Sequence, residues 1–162
     1  MISRGRISAL LISAGLGLTG GLPAPAQGLG GLVPHRAVYN LELADASERS
    51  GINSMYGRMV YEFTGSECEG YRVNFRFVTQ VDTGSEKKIT DQQSSTFEDM
   101  KNGRFEFESK TYNNDELAKQ VSGMAERHDG KIDVDLTEPV SKALSLTAAR
   151  FPTQHTLDVI NR

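Results

Sequence analysis

Few residues in this chain could do chemistry, and the first to weigh is the string Val81-Asp82-Thr83-Gly84-Ser85. Asp-Thr-Gly-Ser is the signature of aspartic proteases, where two aspartates share one proton because adjacent like charges cannot both ionise. A single copy could work only in a homodimer, with an apolar strand before the aspartate and an apolar-apolar-Gly element packing beneath the loop. Here Thr79-Gln80-Val81 precedes Asp82 and no such element follows. A loop between two strands, with Asp, Thr, Gly and Ser present for turn chemistry, is the stronger reading. Cys68 is the lone thiol, set between Glu67 and Glu69, an acidic setting that serves a nucleophilic thiolate poorly. His35, His128 and His155 are far apart and show no metal-ligand spacing. His35 and His155 could share a polar contact lining a cleft, but a separate local hydrogen bond for each is the simpler reading. Asp133 and Asp135, two apart on one strand face, could hold a cation, although a solvated outer face explains them better. The chain has no Gly-rich phosphate loop, no Gly-x-Ser-x-Gly elbow and no basic aromatic platform. No metal, cofactor or enzymatic activity is expected.

The elements that must position these residues read as strands. From Met55 to Tyr112 the chain predicts four consecutive antiparallel strands: Met55–Thr64, Tyr71–Val81, Lys87–Met100 and Arg104–Tyr112. The second alternates most cleanly. Tyr71, Val73, Phe75, Phe77, Thr79 and Val81 share one face against Arg72, Asn74, Arg76 and Gln80, the period of two that a half-buried strand needs. Phe105 and Phe107 repeat the pattern in the fourth. Asn102-Gly103 between the third and fourth strands predicts a type I′ hairpin turn, with positive φ at both central residues.

Outside this meander, Leu32–Leu43 reads as an opening strand, 44–53 as a loop, and 113–115 as a break. Asp129-Gly130 is a second hairpin signal, so Leu117–Arg127 is read as a strand leading into the alternating Ile132, Val134 and Leu136. Lys142–Leu146 suggests a further short strand. Thr156–Asn161 looks like a short C-terminal helix with Pro152 near its first turn, marginal in stability without packing.

The N-terminus is read as an address. Arg4 and Arg6, the apolar run Ile7–Leu18 and Ala24-Pro25-Ala26 are the three parts of a signal peptide cleaved after residue 26. The run is shorter than the roughly 20 apolar residues that span a bilayer. A soluble exported protein, 27–162, is therefore expected, folded as a single β domain. Cleavage leaves 16 basic against 21 acidic side chains, and an acidic chain without a basic stripe argues against nucleic acid as a partner.

Three stretches together resemble a family. Pro34-His35-Arg36-Ala37-Val38-Tyr39 follows the signal peptide, Glu67-Cys68-Glu69-Gly70-Tyr71 turns inside an aromatic meander, and Phe151-Pro152-Thr153-Gln154-His155 opens a helix. Their order and spacing resemble the EipB-type cell-envelope integrity proteins of the periplasm. The resemblance implies an antiparallel β-spiral, an incomplete barrel with a helix associated with the curved sheet, and a role in envelope integrity without enzymatic activity. It marks His35, Arg36, Tyr39, Phe151, Pro152 and His155 as family-motif residues. It also implies that Cys68 pairs with a cysteine near the far C-terminus of longer relatives, so this chain is expected to be the N-terminal part of a longer family fold.

Two function classes follow. One is a periplasmic module that binds envelope proteins through the sheet surface or its edge. The other is a carrier or sensor of an apolar ligand such as a lipid, held in the concave face by Tyr71, Phe75, Phe77, Phe105 and Phe107. Packing of the same aromatics against the helix competes with the second reading.

Overall fold

The computed structural model describes residues 32–161, so the signal-peptide segment lies outside the described residues. Eight strands succeed one another in a single antiparallel meander: β1 (His35–Glu42), β2 (Ser54–Ser66), β3 (Gly70–Asp82), β4 (Lys87–Asp99), β5 (Arg104–Asn113), β6 (Glu116–His128), β7 (Lys131–Glu138) and β8 (Lys142–Thr147). The sheet does not close on itself, and β1 and β8 are its edges. A 3-10 turn (Glu48–Ser50) sits in the loop after β1, and helix α1 (Pro152–Ile160) ends the fold. This is the expected mainly-β meander of an incomplete barrel with a C-terminal helix. Most strand ends shift by one or two residues, and two boundaries move further. The first strand is shorter than Leu32–Leu43, and the helix starts at Pro152 rather than near Thr156, because the fixed φ of proline suits a first helical position.

The hairpins show how turn chemistry sets register. Asp129 and Gly130 both take positive φ (49° and 78°), with His128 facing Lys131 across a two-residue turn, as expected of a type I′ hairpin. Asn114 and Asp115 (49° and 68°) do the same between β5 and β6 without any glycine, since Asn and Asp tolerate the left-handed region. Asn102-Gly103 departs from expectation. Only Gly103 has positive φ there, so the connection is a longer loop, not a type I′ turn. The Asp99 carboxylate holds that loop by accepting from the Asn102 backbone N–H (3.0 Å) and side-chain amide (2.6 Å).

Strand alternation sorts the side chains into two faces. Phe63, Tyr71, Phe105, Phe107, Ala125, Ile132 and Val134 lie on the face toward α1, aligned by cross-strand pairs such as Phe105 with Ala125 and Ala125 with Val134. The core proper is Ala125, Ile132, Val134 and Phe151, with Phe105, Phe107, Leu136 and Ala149 against it. Gly123 belongs to this packing, because a Cβ there would come within 2.5 Å of the Asp135 carbonyl and 2.9 Å of the Phe107 ring. The opposite face is polar, and Asp133 and Asp135 lie exposed on it, the solvated positions anticipated for them.

One ion pair ties that polar face together. Arg76 meets Asp91 through two hydrogen bonds of 3.1 and 2.8 Å. Burial alone would push the Asp91 carboxyl up, but the bonds from Arg76 and Gln93 and the guanidinium charge outweigh it and hold the pKa below the usual value. An aspartate with a depressed folded pKa contributes stability that is present above its unfolded pKa and lost as pH falls through the folded one. Arg76→Ala is therefore expected to lower the urea midpoint at pH 7 by the equivalent of up to about 1 kcal/mol, the modest size reflecting an exposed guanidinium. Urea titrations at pH 7 and pH 3 would check this. The difference between variant and parent should shrink at the lower pH.

Candidate functional site

Helix α1 is held against the sheet by a few specific side chains, and the local sequence explains why a distant residue is needed there. Phe151 occupies the N-cap in an extended conformation (φ −72°, ψ 154°) and offers no capping side chain. The N–H groups of the first turn have no helical partners, and those of Thr153 and Gln154 need an acceptor inside the protein. Glu98 of β4 supplies it: its carboxylate accepts from Thr153 N–H at 2.7 Å and Gln154 N–H at 2.9 Å. A carboxylate at a helix N-terminus is favoured by the aligned peptide dipoles as well as by the bonds themselves. Glu98 is 2% exposed and lies between Tyr71 and Phe105 in register.

Two further contacts complete this clasp. The Phe151 ring stacks on Phe105 at 5.4 Å between centroids, and the Arg127 guanidinium lies 5.0 Å from the centre of the same ring. Arg127 also donates to the side-chain carbonyl of Gln154. A nine-residue helix that is marginal alone is thus fixed by a carboxylate from β4, a guanidinium from β6 and an aromatic seat on β5.

Beside the clasp, between α1 and the β1 edge, is an apolar cleft of about 330 Å³ lined by Val33, His35, Tyr61, Phe63, Val73 and Thr156 among others. His35 Nδ1 lies 2.8 Å from the Val33 carbonyl. A carbonyl only accepts, so Nδ1 is the donor here, which in the Nδ1–H tautomer leaves Nε2 as an acceptor. The ring packs on Tyr61 (5.6 Å) and Phe63 (5.7 Å), and Phe63 stacks on Tyr71 (5.2 Å). Burial, then the charges of Glu67 and Cys68, raise the Tyr71 phenol above its ordinary value.

The candidates from the sequence are distributed unevenly around this site. Tyr71 packs on Phe63, and Phe105 and Phe107 stack on each other (5.8 Å) beneath Phe151. These three serve packing, the competing use. Phe75 and Phe77 lie farther along the concave face, half-buried and 6.4 Å apart. Phe151 and Pro152 are in the clasp, while Arg36 lines a hollow on the other face and Tyr39 is 52% exposed. His35 and His155 are not brought together. His35 has its own local bond, and the exposed His155 side chain makes none among the described residues. Cys68 is an exposed free thiol in the β2–β3 turn. In the protease-like string, Asp82 Oδ1 accepts from Gly84 N–H (2.7 Å), and the Thr83 hydroxyl meets Ser85 (3.1 Å) and the Glu86 carbonyl (3.3 Å). That string builds an exposed turn.

Glu98 and Arg127 of the clasp were not singled out by the sequence, and Gln154 entered only within the Phe151–His155 motif. The available signal was weak: Glu98 falls in phase with the inward positions of a Thr- and Ser-rich strand, and only its neighbours' aromatics show that the position is buried.

No helix among the described residues is long and apolar enough to cross a membrane, and no group of three potential metal ligands occurs among them. Cell envelope integrity protein EipB of Brucella abortus (strain 2308) is 50% identical over 132 residues, 81% of this chain and 47% of that protein. The chain thus spans about half the length of this relative. The crystal structure of a β-barrel-like protein of a domain of unknown function, also from Brucella abortus, matches with a TM-score of 0.74 and 50% identity over 80% of this chain and 56% of that one. Residues 26–162 match the family model described as EipB-like, and the chain belongs to that family.

Proposed function

We propose that this chain is a non-enzymatic periplasmic protein that supports cell-envelope integrity by pairing its open sheet edges with envelope proteins. The observation that carries this reading is β8, which among the described residues is an edge strand of the sheet. All six residues of β8 are exposed, with Leu144 and Leu146 (38% and 46% exposed) on the concave side opposite Val134 and Ile132. An unpaired edge of this kind is a template for strand addition, where main-chain bonds give affinity and alternate side chains give specificity. The name and 50% identity of the Brucella relative support the envelope role.

Expression of this chain in Brucella abortus lacking EipB tests the reading, with survival under detergent stress as the measurement. Restored survival is expected, and Leu146→Lys, which places a charge on the β8 edge, should abolish it. Failure by a chain shown to be exported and folded would overturn the proposal.

The apolar cleft supports a second reading, a carrier of an apolar ligand with a hydroxyl donor for His35 Nε2. In this reading the ligand sits in the gap between β1 and α1. Lipid co-purifying in native mass spectra, and lost in Tyr61→Ala, would favour it.

A further inference from the structure

The sheet face turned away from α1 carries a feature that neither reading uses. One polar side chain per strand lines up across six strands in a single register row: Arg36, Glu62, Asn74, Ser95, Glu108 and Ser122. Thr137 of β7 extends it through a 2.8 Å hydroxyl contact with Ser122. Two adjoining hollows, about 340 and 460 Å³, lie along this row and share Ser95 and Glu108. They form a groove that crosses the strands instead of following them. Its polar groups recur at the interstrand spacing of about 4.8 Å, so the row from β1 to β7 is about 29 Å long.

The hydrogen bonds already made show which groups remain to be offered. Asn74 Oδ1 accepts from the Ser95 hydroxyl (3.0 Å), leaving its amide N–H groups as donors. Gln93 donates to Asp91 (3.0 Å), leaving its carbonyl as acceptor. The groove carries charges of both signs. Arg76 is paired with Asp91, Lys110 with Glu108 at 2.8 Å, and Arg36 faces Glu62 across the strands. A polyanion would meet Glu62 and Glu108, and a polycation would meet Arg36 and Arg76. In either case the ligand would encounter like charge. Met124 and the edge of Phe97, itself covered by Arg72 at 5.0 Å, give one end an apolar floor.

We propose that this groove binds a linear, uncharged polysaccharide laid across the strands. Such a polymer presents hydroxyl groups that both donate and accept, carries no charge for the mixed-charge floor to repel, and has apolar ring faces for the Met124 end. A β-1,4-linked chain extends per sugar by a length close to the interstrand spacing, so successive sugars meet successive strands. This surface is separate from the β8 edge and from the cleft beside His35.

Titration calorimetry with β-1,4-linked N-acetylglucosamine oligomers tests it, using the whole chain. The hexamer is expected to bind at least about tenfold more tightly than the trimer, because it reaches more of the row. Its affinity should change little with added salt, since no counterions are displaced. Asn74→Ala and Glu108→Ala should each weaken the hexamer several-fold without moving the urea midpoint, whereas Asp133→Ala, on the same face outside the hollows, should leave it unchanged. The proposal is overturned if millimolar hexamer gives no heat, if trimer and hexamer bind alike, if Asn74→Ala and Glu108→Ala have no effect, or if only an anionic polymer such as heparin binds.

Discussion

Glu98→Ala is expected to lower stability by about 3 kcal/mol, because it removes two charge-assisted hydrogen bonds and leaves two N–H groups of the first helical turn, one buried and one half-buried, without their acceptor. The asymmetry of hydrogen-bond energetics makes this larger than loss of an ordinary cap. A surface N-cap can be replaced by water, but Thr153 is 6% exposed and its N–H faces the protein interior. With a urea m-value of about 1–3 kcal/mol per molar for a small domain, the midpoint should fall by about 1–3 M. Glu98→Gln separates the two parts of the effect. Its carbonyl still accepts one bond, while its amide opposes the other N–H and the negative charge at the helix N-terminus is gone. Its loss should fall between the parent and Glu98→Ala. A midpoint for Glu98→Ala within experimental error of the parent would mean that α1 is held by its apolar contacts alone.

The clasp also shows which parts of this architecture were legible in the sequence. β3 and β5 announce themselves because Tyr71, Phe75, Phe77, Phe105 and Phe107 keep a strict period of two, and one face of each strand must be buried. Asp129-Gly130 fixed the β6–β7 hairpin because that pair reaches positive φ at low cost. Asn102-Gly103 carried the same signal and misled. There Asp99, three residues back, competes for the Asn102 N–H and draws the chain into a longer loop, a choice decided by a side chain outside the dipeptide. The start of α1 was obscured for a related reason. Helix starts are recognised by a capping residue beside them, and here the cap sits on β4, 55 residues away from Thr153. A buried glutamate within a Thr- and Ser-rich strand looks like any solvated one until Tyr71 and Phe105 are placed on either side of it. Tertiary pairing therefore hid the most informative residue of the site, whereas the aromatic strands needed only local alternation to be read. The outward polar row was hidden in the same way, since its six members are ordinary polar residues until the register aligns them.

Phe151→Ala should have the largest effect of any single truncation, about 3–5 kcal/mol. The ring is 4% exposed and belongs to the buried cluster with Ala125, Ile132 and Val134. Its loss combines the transfer energy of a buried aromatic with a cavity that β5, β6 and β7, locked by their backbone ladders, cannot collapse to fill. Stacking on Phe105 and the Arg127 contact add about 0.5–1.5 and about 0.5–1 kcal/mol that an aliphatic replacement would not recover, so Phe151→Leu should restore part of the stability and no more. How the loss is expressed matters as much as its size. A helix this short cannot remain folded once it is undocked, so backbone hydrogen exchange at Thr153 and Gln154 should accelerate while the β2–β3 ladder stays protected. This would mark a local opening below the global transition. The double variant Glu98→Ala/Phe151→Ala then decides whether the clasp acts as one unit. If both residues act by docking α1, the second truncation removes contacts that the first has already released, and the pair should cost little more than Phe151→Ala alone. Full additivity would instead assign Glu98 a role within the sheet, between Tyr71 and Phe105, independent of the helix it caps.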